Sequence, residues 1–200
     1  MLPTRSLRVA IVALVVVLAA CGDPTKPKAF QANALSTYVI SPFTNAPVTA
    51  ATAINFLGGA TRASSAFNFD VAFDLDNNGR TLVYPVRIVG GALANLERAY
   101  LGQAQLPRVG MQIVPGSFDA LTEVPTTGYD TLAIQTLVPG AVLAVNVLDP
   151  NCAFSLGGTS IAAKMTVDSV NAASRKIYLR TVVDPNCGYI SVVPDSIPTR

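Results

Sequence analysis

Histidine and tryptophan are both absent from the 200 residues, and charged side chains make up only 13% of them. Without an imidazole there is no Ser-His-Asp triad, no Cys-His pair, no His-ligated zinc or iron and no histidine pH switch. Low charge together with a hydrophobic fraction of 50% excludes a disordered or coiled-coil chain. Positive charge is missing from one long stretch, residues 109–163, which holds no Lys or Arg but has Asp119, Glu123, Asp130 and Asp149. That stretch is either a set of solvated strand faces or an acidic surface that selects a cationic partner. Nowhere do Lys and Arg cluster with aromatics, so there is no nucleic-acid footprint. A nucleophile motif and a phosphate-binding glycine loop are lacking too, and no catalytic residue is assigned. A glycosidase needs only two carboxylates, and Asp119, Glu123 and Asp130 share a Gly/Pro-rich region, but nothing in their spacing selects them.

What is present begins at the N-terminus. Arg5 and Arg8 precede an unbroken apolar run, residues 9–20 (VAIVALVVVLAA). As a helix this run reaches only about 18 Å, short of the roughly 30 Å hydrocarbon core, so it reads as the core of a signal peptide. Leu18-Ala19-Ala20-Cys21 follows and resembles a bacterial lipobox. The resemblance implies cleavage before Cys21, diacylglycerol on its thiol and an acylated amine, an anchor of two or three chains in the bilayer. Residues 1–20 are then a removed leader, 21–29 a lipidated tether (GDPTKPK at its centre) and 30–200 one domain. Gly22 is not the Asp that retains some lipoproteins in the inner membrane, which favours the outer membrane. Loss of Arg5 and Arg8 leaves 12 basic residues against 12 acidic ones in the mature chain.

Three cysteines are an odd number for an exported protein, and assigning Cys21 to lipid leaves Cys152 and Cys187 as a pair. An oxidising compartment makes a disulfide the default reading. Two buried thiols are the alternative, since with no His a soft-metal shell stays incomplete. Both cysteines end the same tetrapeptide, Asp149-Pro150-Asn151-Cys152 and Asp184-Pro185-Asn186-Cys187, each after a β-rich run. Asp-Pro-Asn suits a type I turn at a strand end. In a three-strand meander the two exits lie about 9.6 Å apart, beyond the roughly 4.4–6.8 Å of a disulfide. The turns must fold over the middle strand, or the outer strands must be neighbours or lie in facing sheets; folded-over turns are preferred.

Scattered Gly and Pro between short apolar runs read as an all-β fold, a single antiparallel β-sandwich or open barrel. Strands are expected at 37–40, 50–57, 66–75, 81–89, 96–105, 110–114, 131–138, 141–148, 161–170, 176–183 and 189–193, and no long helix. Around Asn78-Gly79 a two-residue turn would pair Phe73 with Tyr84, Val71 with Val86, Phe69 with Ile88 and Asp70 with Arg87. A second hairpin spans 164–183 and turns near 171–174. Asp74, Asp76 and Asn78 before Gly79 look like the opening of a calcium loop, although Pro85 stands where the bidentate Glu would be.

Phe69-Asp70-Val71-Ala72-Phe73 resembles a stretch of HmuY-like haem-binding outer-membrane lipoproteins, as do residues 142–145 and 162–167. The resemblance implies a β-rich, lipid-anchored protein that captures haem. This chain departs from it in having no His and in carrying Phe69 where the family has Trp, which leaves Met111 and Met165 as the only mature thioethers. The expected function is thus a lipid-anchored cell-envelope lipoprotein, a non-catalytic binding or structural component. Its named partner is the bilayer, through acylated Cys21; capture of haem or another small ligand is the alternative.

Overall fold

The apolar alternation of the strands is answered by two antiparallel sheets packed face to face. A computed structural model describes residues 28–64, 66–92, 108–149, 152 and 157–199. The strands are β1 (Ala34–Ile40), β2 (Ala53–Asn55), β3 (Gly59–Thr61), β4 (Val71–Leu75), β5 (Thr81–Pro85), β6 (Arg108–Val114), β7 (Gln135–Leu137), β8 (Val142–Leu148), β9 (Ser160–Asn171) and β10 (Lys176–Asp184). One short helix, α1 (Val86–Ala92), follows β5. The first sheet runs β1-β10-β9-β8-β6 and the second β3-β2-β4-β5-β7, every neighbouring pair antiparallel. The fold is an all-β sandwich, not a closed barrel. One core unites the sheets, with Val71, Phe73 and Val83 on one side and Val145, Met165 and Leu179 on the other.

The first sheet is covered on its outer face as well. Val142, Ala144, Ala162 and Val182 point away from the main core and meet Val114, Phe118, Val124 and Val192. That is why β9 is buried without a break from Ile161 to Val167, where a sheet with one wet face would alternate. Lys164 lies in this outer layer, 1% exposed. Its Nζ donates to the carbonyls of Phe118 at 2.7 Å and Leu121 at 2.8 Å and sits 4.6 Å from the centre of the Phe118 ring. Burial lowers the Lys164 pKa, and the two carbonyls and the ring face are what make the buried ammonium tolerable. Arg180 stacks on the same ring at 4.9 Å and binds Asp168 at 2.9 Å. Asp168 is the residue that the β9–β10 register skips, a bulge between Tyr178 and Leu179.

The first hairpin departs from its expected register. Phe73 pairs with Val83, Ala72 with Tyr84 and Val71 with Pro85. The connection is one residue longer than a two-residue turn. Gly79 N–H donates to the Asp76 carbonyl, Asp76 N–H to that of Arg80, and Gly79 has a φ of 75°. This is a type I turn closed by a left-handed glycine. The Asp76 carboxylate selects it, accepting the N–H groups of Asn78 (2.9 Å) and Arg80 (2.8 Å) and Arg80 Nε (2.6 Å). The slip turns β5 over, so Thr81, Val83 and Pro85 are buried while Leu82 and Tyr84 are only half-covered.

Other expectations are corrected alongside it. The run 81–89 is a strand only to Pro85; beyond it Val86 and Val89, at helical spacing, are buried on one side of α1. The Asp70–Arg87 pair therefore does not form across a ladder. The strand expected at 66–75 is regular only from Val71, and 189–193 forms a single bridge, Ser191 to Glu123. The runs 50–57 and 131–138 shorten to β2 and β7, and β3 was not anticipated. The strand expected at 96–105 lies outside the described residues. The second hairpin and the meander β8-β9-β10 stand as expected.

Lys164→Met keeps the length of the side chain but strands two carbonyls. It should lower unfolding free energy by about 2 kcal/mol in urea, with hydrogen exchange accelerated in residues 115–124 and unchanged in the β4–β5 hairpin.

Candidate functional site

The sandwich has one end where the chain enters and where the cysteines meet. The starts of β1, β6 and β9 and the ends of β8 and β10 lie there, since Ala34 pairs with Val183, Arg108 with Leu148 and Leu148 with Ser160. The first Asp-Pro-Asn turn closes with Cys152 N–H donating to the Asp149 carbonyl at 2.9 Å. In the second, Asp184 Oδ1 accepts the backbone N–H of Asn186 at 2.9 Å and its Nδ2 at 2.8 Å. Gly188 N–H then donates to the Ser160 carbonyl, which lays this turn over the start of the middle strand. Only glycine permits the crossing. A Cβ on Gly188 would lie 1.7 Å from the Gly157 carbonyl oxygen, and one on Gly158 2.6 Å from the Gly188 Cα. The outcome is a Cys152–Cys187 disulfide with Cα atoms 5.5 Å apart, the folded-over arrangement. It closes a separation of 35 residues, worth roughly 4 kcal/mol in the chain-entropy account.

Asn186, 4% exposed, joins the entering chain to this crossing. Its Oδ1 accepts the N–H groups of Phe30 and Gln31, both at 3.1 Å, and its Nδ2 donates to the Gln31 carbonyl at 2.8 Å. Ala29 N–H reaches the Tyr189 hydroxyl at 3.1 Å. Four residues on, Asn33 Nδ2 donates to the carbonyls of Ser191 and Val193, and its backbone N–H to that of Ser196. The chain is therefore fixed to the domain from residue 29. Sequence reasoning identified the repeated tetrapeptide but gave the second Asn only a turn role. The signal for more was the glycine directly after Cys187 and the Gly-Gly pair at 157–158. Cys21, with the lipobox, lies outside the described residues.

Two buried carboxylates stand out that sequence reasoning did not single out for burial. Asp70, 4% exposed, accepts the Phe56 N–H at 2.7 Å. Its pKa is pushed up to about 6 by burial first, against the Phe56 hydrogen bond that lowers it and with the nearby charge of Asp149 raising it further. Asp184 is fully buried, and its pKa is also raised, by burial. Both acids hold protons more tightly folded than unfolded, so each loses stability for the fold as pH rises above the ordinary carboxylate range, for Asp70 from about 4 through about 6.

The three acids of the Gly/Pro-rich region, which no spacing had selected as a pair, are engaged separately. Asp119 is exposed and 4.0 Å from Arg180, Glu123 bridges to Ser191 through its backbone, and Asp130 accepts the N–H groups of Leu132 and Ala133. In the calcium-like segment, Asp74 accepts the Thr44 hydroxyl and the Leu75 N–H and lies 4.0 Å from Arg175. Asp76 is saturated by the turn it caps, and Asn78 belongs to that turn. Among the described residues no three His, Cys, Asp or Glu side chains are grouped to hold a metal. Met111 and Met165 are 1% and 0% exposed in the main core. No described helix is long and apolar enough to cross a membrane. Compared with known protein families, with curated proteins and with solved structures, the chain matches none.

Asn186→Asp is isosteric but sets a carboxylate oxygen against Asp184 Oδ1 and the Gln31 carbonyl. It should cost roughly 2–4 kcal/mol in chemical unfolding and expose residues 28–33 to proteolysis before the sheets open. Asp70→Asn keeps an acceptor for Phe56 N–H and removes a titrating group. Melting temperature followed from pH 4 to pH 6 should fall in the wild type by the equivalent of up to about 3 kcal/mol. In the variant that slope should shrink to the part owed to Asp184; an unchanged slope would place the titration elsewhere.

Proposed function

We propose that this chain is a lipid-anchored lipoprotein of the cell envelope, in the outer membrane, acting without catalysis as a binding or structural component. The observation that carries the reading is the Cys152–Cys187 disulfide. It fits an oxidising, exported compartment and leaves Cys21, inside Leu-Ala-Ala-Cys, as the odd cysteine for lipid. The fixed entry of the chain at residue 29 supports the same reading, because a short tether from Cys21 then has a defined landing point on a rigid end of the sandwich.

Mass spectrometry of the protein purified from bacterial membranes tests the anchor. The expected species begins at Cys21, lacks residues 1–20 and carries the mass of diacylglycerol plus an acyl chain, whereas Cys21→Ser remains unprocessed. A free N-terminus at Cys21 or beyond, without lipid, would overturn the reading. A thermal-shift series with haem, calcium, sugars and peptides then separates a binding role, which raises the melting temperature in proportion to ligand, from a structural one.

A further inference from the structure

The end of the sandwich that receives the tether carries apolar side chains with no cover. Phe30 is 77% exposed although its backbone is fixed to Asn186, and Ile197, adjoining the Ser196 that binds Asn33, is 54% exposed. Covering two large apolar side chains that rigid backbone already holds in place would gain burial without the cost of ordering them. Cys21 is eight residues from Ala29, so the tether spans at most about 28 Å whatever its path. The far end of the sheet is about 30 Å further away, since β10 alone is nine residues long. In an anchored domain this end is therefore the part nearest the attachment point and within reach of the bilayer. Among the described residues at this end charge is balanced, exposed Lys28 and Arg108 standing against Asp149 and Asp195.

We infer that this end of the sandwich rests on the bilayer, with Phe30 and Ile197 entering the lipid interface. The inference rests on the lipid-anchor reading above. It makes the lipid surface a docking partner of the folded domain as well as the site of its anchor, and it fixes which way the two sheets stand. The binding is apolar, so it requires no anionic lipid.

The absence of tryptophan makes the test clean. Phe30→Trp in the full chain, processed in a bacterial host and reconstituted into phosphatidylcholine vesicles with brominated acyl chains, should show blue-shifted, bromine-quenched emission. Ile197→Trp is the second reporter and should behave alike. Val48→Trp, 82% exposed in the connection that meets the β9–β10 turn through Thr44 and Arg175, should show neither effect. Unquenched, water-exposed emission from both tether-end reporters on protein that floats with the vesicles overturns the docking and leaves the anchor intact. Protein that fails to float and carries no lipid overturns the anchor reading, and the docking with it. Quenching that disappears at high salt overturns the apolar assignment.

Discussion

The side-chain amide of Asn186 ties the entering chain to the turn that ends β10. Its oxygen takes two N–H groups of the entering strand, and its nitrogen divides between the Gln31 carbonyl and Asp184. Because Asn186 stands one residue before Cys187, the same turn that receives the N-terminal segment also carries the disulfide. The crossing over the start of β9 is then a matter of backbone approach, which the glycines at 158 and 188 allow and a Cβ on either would block. Where β1 begins, where β10 ends and how β8 is tied to both are thereby decided at one corner. A buried amide with all its hydrogen-bonding capacity used suits this role, since partial satisfaction in a dry site would cost more than the bonds return.

The second organising constraint is that the first sheet is apolar on both faces. The sandwich answers one face with the β2–β5 sheet and the other with residues 115–124 and the C-terminal segment. An irregular cover brings its own unpaired carbonyls, and those of Phe118 and Leu121 are met by the Lys164 ammonium rising from β9. The cation-free stretch 109–163 gains a physical meaning from this. Its backbone and Asp119 are partnered by Lys164 and Arg180 from strands that follow it in the chain, so part of the charge segregation in the sequence is cancelled inside the fold.

How much was legible follows from where the determining forces lie. The all-β class, the β9–β10 hairpin and the cysteine pairing rest on local alternation and turn chemistry, and they can be read from residues in order. The β4–β5 register could not be read from Asn78-Gly79 alone, because a third loop residue is favoured by a side chain outside the dipeptide. Asp76 offers three hydrogen bonds to the longer loop. The apolar pattern did not prevent the slip, since Val83 serves the core as well as Leu82 or Tyr84 would. The helix after Pro85 was hidden for a similar reason. Val86 and Val89 fit a helix face, but a run of β-branched residues directly after a strand reads as more strand. The burial of Asp70 rests on packing between the two sheets and on the Phe56 N–H from a distant segment, which no local pattern encodes.

The candidate site shares that division. Leu18 to Cys21 and the two Asp-Pro-Asn-Cys turns are local motifs and were visible at once, whereas the landing of the chain on Asn186 depends on a contact across 155 or more residues. Its consequence is mechanical. A strand end free of the domain could swing, but this one is held from residue 29, so the entering chain acts directly on the disulfide corner. From that corner β10, β9 and β8 run as one hydrogen-bonded unit to the opposite end. The exposed aromatic at residue 30 then stands at the base of a rigid lever, so any surface that contacts Phe30 also sets the attitude of the whole sandwich.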